Sequence, residues 1–199
     1  NHQVMINSST TPLVSVLMTA YNREKYIAEA IESVIKQSYL NWELIIVDDG
    51  SHDNSVAIAK KIVDSRIVVK SKPKNEGKGS AIRDGFQLAS LPYVVIQDAD
   101  LEYDPDEYPK LLEPIIEGRA EVVYGSRFLG SGMRRVLYYW HFLGNQFLTQ
   151  LSNMFTNLNL SDMETCYKVF RRGVLERITI EENRFGFEPE ITAKVARLR

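Results

Sequence analysis

Short apolar runs alternate with segments of helical periodicity through the first half of the chain. The apolar runs are continuous, which is typical of strands buried on both faces, whereas the intervening segments repeat apolar residues at helical spacing. This order of strand, helix and strand predicts an α/β fold with a parallel sheet and helices on both faces. The predicted strands are residues 13–18, 44–47, 67–69, 93–96 and 122–124, and the predicted helices are residues 24–37, 54–63 and 80–89.

Polar clusters follow four of these strands, at the point where each strand ends. The carboxyl ends of parallel strands lie along one edge of the sheet, and ligands bind there, so we expect the four clusters to converge. The clusters are Thr19-Ala20-Tyr21-Asn22, Asp48-Asp49-Gly50-Ser51, Gln97-Asp98-Ala99-Asp100 and Gly125-Ser126-Arg127.

The clearest candidate chemistry is the pair Asp98 and Asp100, which directly follows a buried strand. In extended backbone, residues two apart point to the same side, so both carboxylates can face one ion. Oxygen ligands of this kind suit Mg²⁺ or Mn²⁺, which in turn would hold a substrate diphosphate, and Glu102 offers a third oxygen. The simpler interpretation is a solvated acidic turn, because Asp-x-Asp is common by chance.

Two further segments fit the nucleotide part of such a substrate. The carboxylate of Asp48 or Asp49 can accept a hydrogen bond from a base or a ribose, which is the favoured interpretation. The simpler one is a cap for the helix that follows, a role that Ser51 or Asp53 can also fill. Glycines on either side of Lys78 let the backbone approach a phosphate near a helix N-terminus, and the same helix carries Arg83. The spacing does not match a Walker A loop, so nucleotide hydrolysis is not implied.

Arg127, Arg134 and Arg135 form a basic stretch in an otherwise mildly acidic chain. Guanidinium groups recognise phosphate through paired hydrogen bonds, so phosphate binding is one interpretation and a solvated surface loop is the other. Asp162 can reach a reacting carbon or its hydroxyls, or act only as an acid in a turn. Glu188, in a loop that leads into a final helix, either touches substrate or caps that helix.

The segment from residue 136 to residue 161 contains no Lys, Arg, Asp or Glu. Helical spacing separates its polar and apolar residues onto opposite faces, and aromatic residues cluster at its start. One interpretation is a helix packed on the core; the other is a helix in a membrane interface, with its aromatic side chains at headgroup depth. The predicted polar face holds Asn145, Gln146, Thr149, Gln150, Asn153 and Asn157, and the predicted apolar face holds Leu143, Phe147, Leu151, Met154 and Leu158.

Length and composition narrow the classes of function. The 199 residues suffice for one large domain, and a net charge of −2 gives no basic field for nucleic acid. The single cysteine, Cys166, is predicted to be a small buried residue, and its lack of a partner is typical of a reducing compartment. A phosphoacceptor receiver domain is disfavoured because its acidic pair follows the first strand, whereas Asp48-Asp49 follows the second. A dinucleotide-binding oxidoreductase is disfavoured because no Gly-rich turn follows the first strand here.

In combination the motifs resemble those of family-two inverting glycosyltransferases, specifically the dolichyl- or polyprenyl-phosphate sugar synthase branch. The matching stretches are residues 14–22, 47–51, 75–85, 98–101, 125–128 and 162–172, in the family's order. The resemblance implies the nucleotide-diphospho-sugar transferase (GT-A type) fold, a UDP- or GDP-sugar donor and Mg²⁺ or Mn²⁺ as cofactor. The chain departs from the family at Arg23, where an acidic residue is frequent, and at Cys166, where Gly is common, which leaves the donor's identity open.

The resemblance also implies roles for individual residues, with Asp100 and Asp162 as the catalytic candidates. A lipid phosphate is already anionic and needs no strong general base, so Asp162 would then only orient the substrate; a saccharide hydroxyl would need a base. The expected metal ligands are Asp98, Asp100 and Glu102, which stands where the family often has Gln. The expected acceptor-phosphate ligands are Arg127, Arg134 and Arg135, and the donor-binding candidates are Thr19, Ala20, Tyr21, Asn22, Asp48, Asp49, Lys78, Arg83, Asp98 and Ala99.

The expected organisation is a loose lead-in over residues 1–11 followed by a single domain over residues 12–199. Within it, residues 12–103 form the half that binds the nucleotide-sugar and residues 104–199 the half that binds the acceptor. Relatives continue beyond the position of Arg199, so the chain resembles a truncated member of the family. The expected location is the cytoplasm, at the inner face of the membrane. The alternatives are transfer to a saccharide hydroxyl in capsule, O-antigen or cell-wall assembly, and a catalytically inactive nucleotide-binding module; a homodimer is compatible with either.

Overall fold

A six-stranded sheet forms the centre of the computed structural model, which describes residues 12–128 and 138–198. The strand order is β3-β2-β1-β4-β6-β5, and β1 pairs in parallel with both β2 and β4. β3 also runs parallel to β2, whereas β6 is antiparallel to β4 and to β5. The strands are β1 (Val14–Ala20), β2 (Trp42–Asp48), β3 (Ile67–Ser71), β4 (Tyr93–Asp98), β5 (Val122–Tyr124) and β6 (Lys168–Arg171).

Helices cover both faces of this sheet, as the continuous apolar strands predict. Alternate residues of one strand enter different cores: Val16 and Met18 of β1 belong to one hydrophobic cluster and Leu17 to the other. Helices α1, α2 and α4 pack in the first cluster, and α3, α6 and α7 in the second. The helices are α1 (Ile27–Lys36), α2 (Ser55–Lys61), α3 (Lys78–Leu88), α4 (Tyr108–Ile116), α5 (Tyr139–Thr156), α6 (Arg172–Leu175) and α7 (Phe187–Ala196).

All five predicted strands and the three early helices are present, with ends shifted by a few residues. β6 and α4 were not predicted from the sequence pattern. β6 is only four residues long and begins with Lys168, and α4 contains Pro114, which disfavours a helix interior. Cys166 is buried, as predicted. The lead-in over residues 1–11 lies outside the described residues.

Helix α5 does not pack its apolar face on the core. Of its described residues, only Thr149 is fully buried, and most of its large apolar side chains are exposed. Among the residues that the structure describes, no helix is long and apolar enough to cross a bilayer.

Candidate active site

The polar clusters after β1, β2 and β4 meet at one cavity of about 380 Å³ along the carboxyl edge of the sheet. The parallel pairing of β1 with β2 and β4 places Thr19 level with both Val47 and Asp98, so the strand ends are adjacent. The loop before α3 closes one side of the cavity. The lining includes Thr19, Ala20, Tyr21, Arg23, Asp49, Asn75, Gly77, Lys78, Asp98, Ala99, Asp100, Arg184 and Phe185.

Asp98 and Asp100 both face this cavity but differ in their surroundings. Lys78 Nζ lies 3.0 Å from Asp98 Oδ2. Burial by itself raises the pKa of Asp98, but the charge of Lys78 and hydrogen bonding outweigh it, so the pKa lies below its usual value. Burial, followed by the charge of Asp98, raises the pKa of Asp100. The two carboxylates are therefore close enough to repel each other, and Lys78 compensates mainly the first of them.

This pair suits a divalent cation that is shared with a substrate. Mg²⁺ is commonly held by one or two carboxylates together with substrate phosphates, rather than by a cage of protein ligands. Within the described ranges, no group of three His, Cys, Asp or Glu side chains is arranged to hold a metal by itself. Glu102 is near enough to raise the pKa of Asp100 by its charge, and its backbone N–H donates to Asp100 Oδ1 at 3.1 Å. The non-glycine residue between them, Leu101, has a φ of 62°, which indicates a strained turn.

Asp49 also lines the cavity, but its carboxylate is held by the protein. Backbone N–H groups of Glu76 and Gly77 donate to it at 3.1 and 2.6 Å, and Lys72 Nζ lies 3.3 Å away. Gly77 has a φ of 107°, and a Cβ there would lie 2.4 Å from the carbonyl oxygen of Asn183. Asp49 therefore fixes the glycine loop against β2 and shapes the cavity wall.

Three donor-binding candidates are not among the residues that line the cavity. Asp48 accepts hydrogen bonds from Ser51 and Ser71 and so stabilises the turn after β2. Asn22 accepts from the backbone N–H of His52 at 3.0 Å. The guanidinium of Arg83 donates to the carbonyl of Ile180 and to Asn183 on the far side of the glycine loop. In this structure each of the three is engaged by neighbouring loops.

Arg127 and Asp162 form a bidentate ion pair, and neither lines the cavity. Arg127 Nε and Nη2 each lie 2.8 Å from one oxygen of Asp162, and the backbone N–H of Arg127 donates to Oδ2 at 3.1 Å. Asn145 of α5 donates to Oδ1 at 3.2 Å. The Asp162 side chain is fully buried, and hydrogen bonding to it raises the pKa of Arg127. Arg134 and Arg135 lie outside the described residues.

The sequence motifs indicate only part of a buried charged network that includes Asp98. Lys78 Nζ bridges from Asp98 to Glu188 Oε1 at 3.1 Å, and the buried Glu188 Oε2 has no hydrogen-bond partner among the described residues. Burial lowers the pKa of Lys168 to about 8, and burial together with Glu188 raises the pKa of Glu164. The lining residues Arg184 and Phe185 were not predicted, because they lie in the loop between α6 and α7, and a loop has no periodic signal.

The chain matches a known protein family over most of its length. The profile of Glycosyl transferase family 2 matches residues 15–179, which include all six strands except Val14 at the start of β1. The chain belongs to glycosyl transferase family 2. This membership confirms the family that the motifs indicate.

Curated members of the family match almost the whole chain. An undecaprenyl-phosphate 4-deoxy-4-formamido-L-arabinose transferase of Aeromonas hydrophila is 28% identical over 96% of this chain and 59% of its own length. The low-salt glycan biosynthesis hexosyltransferase Agl6 of Haloferax volcanii is 31% identical over 93% of this chain and 45% of its own length. The chain thus spans about half the length of these curated relatives.

Solved structures share the fold. Residues 1–349 of S. aureus TarS match with a TM-score of 0.67 and 22% identity, over 92% of this chain and 55% of that one. The Mycobacterium tuberculosis glucosyl-3-phosphoglycerate synthase, solved with Mn²⁺, UDP-glucose and phosphoglyceric acid, matches with a TM-score of 0.70 and 21% identity, over 93% and 68%. These similarities confirm the GT-A type α/β fold.

Proposed function

We propose that this chain is the catalytic domain of a metal-dependent inverting glycosyltransferase. It would move a sugar from a UDP- or GDP-sugar to a polyprenyl phosphate at a membrane surface. The observation that carries the proposal is the single cavity lined by Asp98, Asp100 and Asp49, whose residues come from separate strand ends. Family membership supports the same chemistry.

Asp98 and Asp100 are the residues that would hold Mg²⁺ or Mn²⁺ with the donor diphosphate, and Glu102 is placed to support Asp100. When bound, the cation would neutralise the charge that develops on the leaving diphosphate. The fold neighbour from Mycobacterium tuberculosis was solved with Mn²⁺ and UDP-glucose, which favours this pairing of metal and donor. Thr19, Ala20 and Tyr21 line the same cavity and are the proposed contacts for the nucleoside.

Arg127 is the proposed contact for the acceptor phosphate, with Arg134 and Arg135 as further candidates. Asp162 accepts from two of the donor groups of the Arg127 guanidinium, and within the described ranges no hydrogen bond occupies its other N–H groups. The side chain of Arg127 is 25% exposed, whereas that of Asp162 is fully buried. The similarity to an undecaprenyl-phosphate sugar transferase supports a lipid phosphate as acceptor.

The reaction would be a single displacement at the anomeric carbon. A bond forms from an acceptor phosphate oxygen to this carbon, the bond to the donor diphosphate oxygen breaks, and the configuration inverts. An anionic phosphate oxygen has no proton to lose, so no general base is required. Both oxygens of Asp162 already accept from Arg127, which supports a role in orienting that arginine rather than in removing a proton.

The experiment that tests this proposal measures donor binding and product formation with the full-length protein. Thermal-shift titration with UDP- and GDP-sugars, with and without Mn²⁺, should identify a donor whose binding depends on the metal. Incubation with a polyprenyl phosphate should then give the lipid-linked sugar and the free nucleoside diphosphate.

Variants make the test specific to the proposed metal site. Asp100→Asn should weaken Mn²⁺-dependent donor binding by about a hundredfold, because one of two charged ligands is lost. Glu117→Gln, which removes an exposed carboxylate that pairs with Arg119, should leave donor binding unchanged. Equal donor binding by Asp100→Asn and wild type would refute the metal assignment. Transfer to a saccharide hydroxyl, but not to a lipid phosphate, would support the alternative acceptor.

A further inference from the structure

Helix α5 turns its polar face towards the protein. Asn145 donates to Asp162, and Asn153 exchanges hydrogen bonds of 2.8 and 2.9 Å with the backbone of Leu160. Thr149, fully buried, accepts from the backbone N–H of Met163 at 3.1 Å. These uncharged side chains hold the loop that carries Asp162, so they bond the polar face of α5 to the rest of the domain.

The opposite face of α5 is apolar and exposed. Trp140, Leu143, Phe147 and Met154 follow one another at helical spacing and form a single stripe, which we call the outer stripe. Trp140 is 77% exposed, Phe147 64% and Met154 68%. A soluble helix normally has the reverse orientation, with its apolar side packed on the core.

We infer that the outer stripe docks on the surface of a lipid bilayer. An interface with another protein normally has a rim of polar and charged residues, but the sequence has no formal charge from residue 136 to residue 161. No carboxylate in this segment repels anionic headgroups. Tyr138 and Tyr139 are also largely exposed beside Trp140, and Tyr and Trp are the residues enriched at membrane interfaces.

The polar face fixes the orientation of this docking. Because that face is bonded to the domain, lipid cannot surround α5, and the helix must lie along the surface over its length of about 27 Å. The same helix contacts Asp162, which holds Arg127, through Asn145. Docking would therefore bring the proposed phosphate contact to the headgroup region. This inference rests on the proposed function, which needs a membrane-borne acceptor.

The test uses the full-length protein and vesicles of phosphatidylcholine, with or without phosphatidylglycerol, that contain no polyprenyl phosphate. Flotation should carry the protein with the vesicles and should persist at molar NaCl, because the outer stripe is uncharged. Binding that disappears in salt would place the contact on charged residues elsewhere and overturn the inference.

Trp140 gives a local readout of the contact, because Trp42 is buried in the core at 4% exposure. Vesicles should shift the Trp140 emission to the blue, and brominated lipid should quench it. Trp140→Phe should still float with vesicles but lose this emission change. An unchanged emission in the wild-type protein during flotation would show that α5 is not the contact.

Two variants separate the outer stripe from general surface hydrophobicity. Phe147→Asp should weaken vesicle partitioning by about tenfold or more, because an exposed aromatic side chain that would enter the bilayer is replaced by a charge. Leu40→Asp changes another exposed apolar residue, 69% exposed and outside α5, and should partition like the wild type. Equal loss in both variants, or in neither, would contradict the inference.

Other occupants of the outer stripe, and failure of the proposed function, give distinct results. A stable dimer in light scattering that Phe147→Asp disrupts would assign the stripe to a second copy. Shielding of Trp140 from acrylamide without vesicles would assign it to another part of the protein. Transfer to a water-soluble, short-chain acceptor phosphate without vesicles tests the proposed function alone: activity without flotation refutes only the docking, and flotation without activity refutes only the transferase.

Discussion

The cavity at the strand ends contains paired charges, whereas the outer stripe of α5 contains none. Around the cavity, Asp49, Lys78 and Asp98 are enclosed and each is held by a partner within the fold. Along α5 there is no formal charge, and large apolar side chains face outward. Paired charges preorganise a site for a phosphorylated ligand at low reorganisation cost, whereas an uncharged apolar stripe is suited to leaving water. Asp162, which does not line the cavity, is bonded both to Arg127 and to Asn145 of α5.

The largest effect on stability is expected at the ion pair of Arg127 and Asp162. Asp162→Ala leaves Arg127 without its bidentate partner, and breaking a buried pair costs about 4 kcal/mol of the free energy of unfolding. The matched control is Asp64→Ala, because Asp64 binds Arg66 with the same bidentate geometry at the surface. The control should lose much less stability, because solvent screens an ion pair at the surface. Urea denaturation of both variants measures the difference, and equal losses would mean that the burial of Asp162 contributes nothing.

The next effect concerns the buried Lys168. Burial lowers its pKa from 10.5 to about 8, so between these values the unfolded chain binds more protons and stability rises with pH. Below pH 8 the penalty for the buried ammonium is fully present. At pH 7, Lys168→Met should therefore have a free energy of unfolding about 3 kcal/mol larger than that of the wild type.

That gain should shrink as the pH rises through the interval in which Lys168 titrates in the wild type. The control is Lys110→Met, which changes an exposed lysine of α4. Urea midpoints at pH 7 and at alkaline pH give the comparison. A difference between Lys168→Met and wild type that stays constant with pH would contradict the assignment.

The smallest effect is expected on the outward side of α5. Phe155 is 81% exposed, so Phe155→Ser should change the free energy of unfolding by less than about 0.5 kcal/mol. Thermal unfolding without lipid measures this change. A large loss of stability would show that the apolar side of α5 is packed in the native protein and would remove the contrast with the cavity.

The pattern of apolar and polar residues was enough to identify most of the sheet and the early helices. The strands are continuous apolar runs, and α1 repeats Ile27, Ala30, Ile31 and Val34 on its buried side. The rule that ligands bind at the carboxyl ends of parallel strands then predicts that Thr19, Asp49 and Asp98 lie together. β6 was missed because a four-residue strand that starts with a buried lysine has no apolar run.

The chain by itself determined which residues could be chemical, through strand ends, glycine loops and paired acids. Only the tertiary structure decided how they are used: Asp48 and Asn22 hold turns, Asp49 holds the glycine loop, and Glu188 joins Asp98 through Lys78. The same holds for α5, whose two faces are evident in the sequence while the inward direction is not. A local pattern gives the periodicity of an element, but hydrogen-bond partners from distant segments determine which side meets the protein.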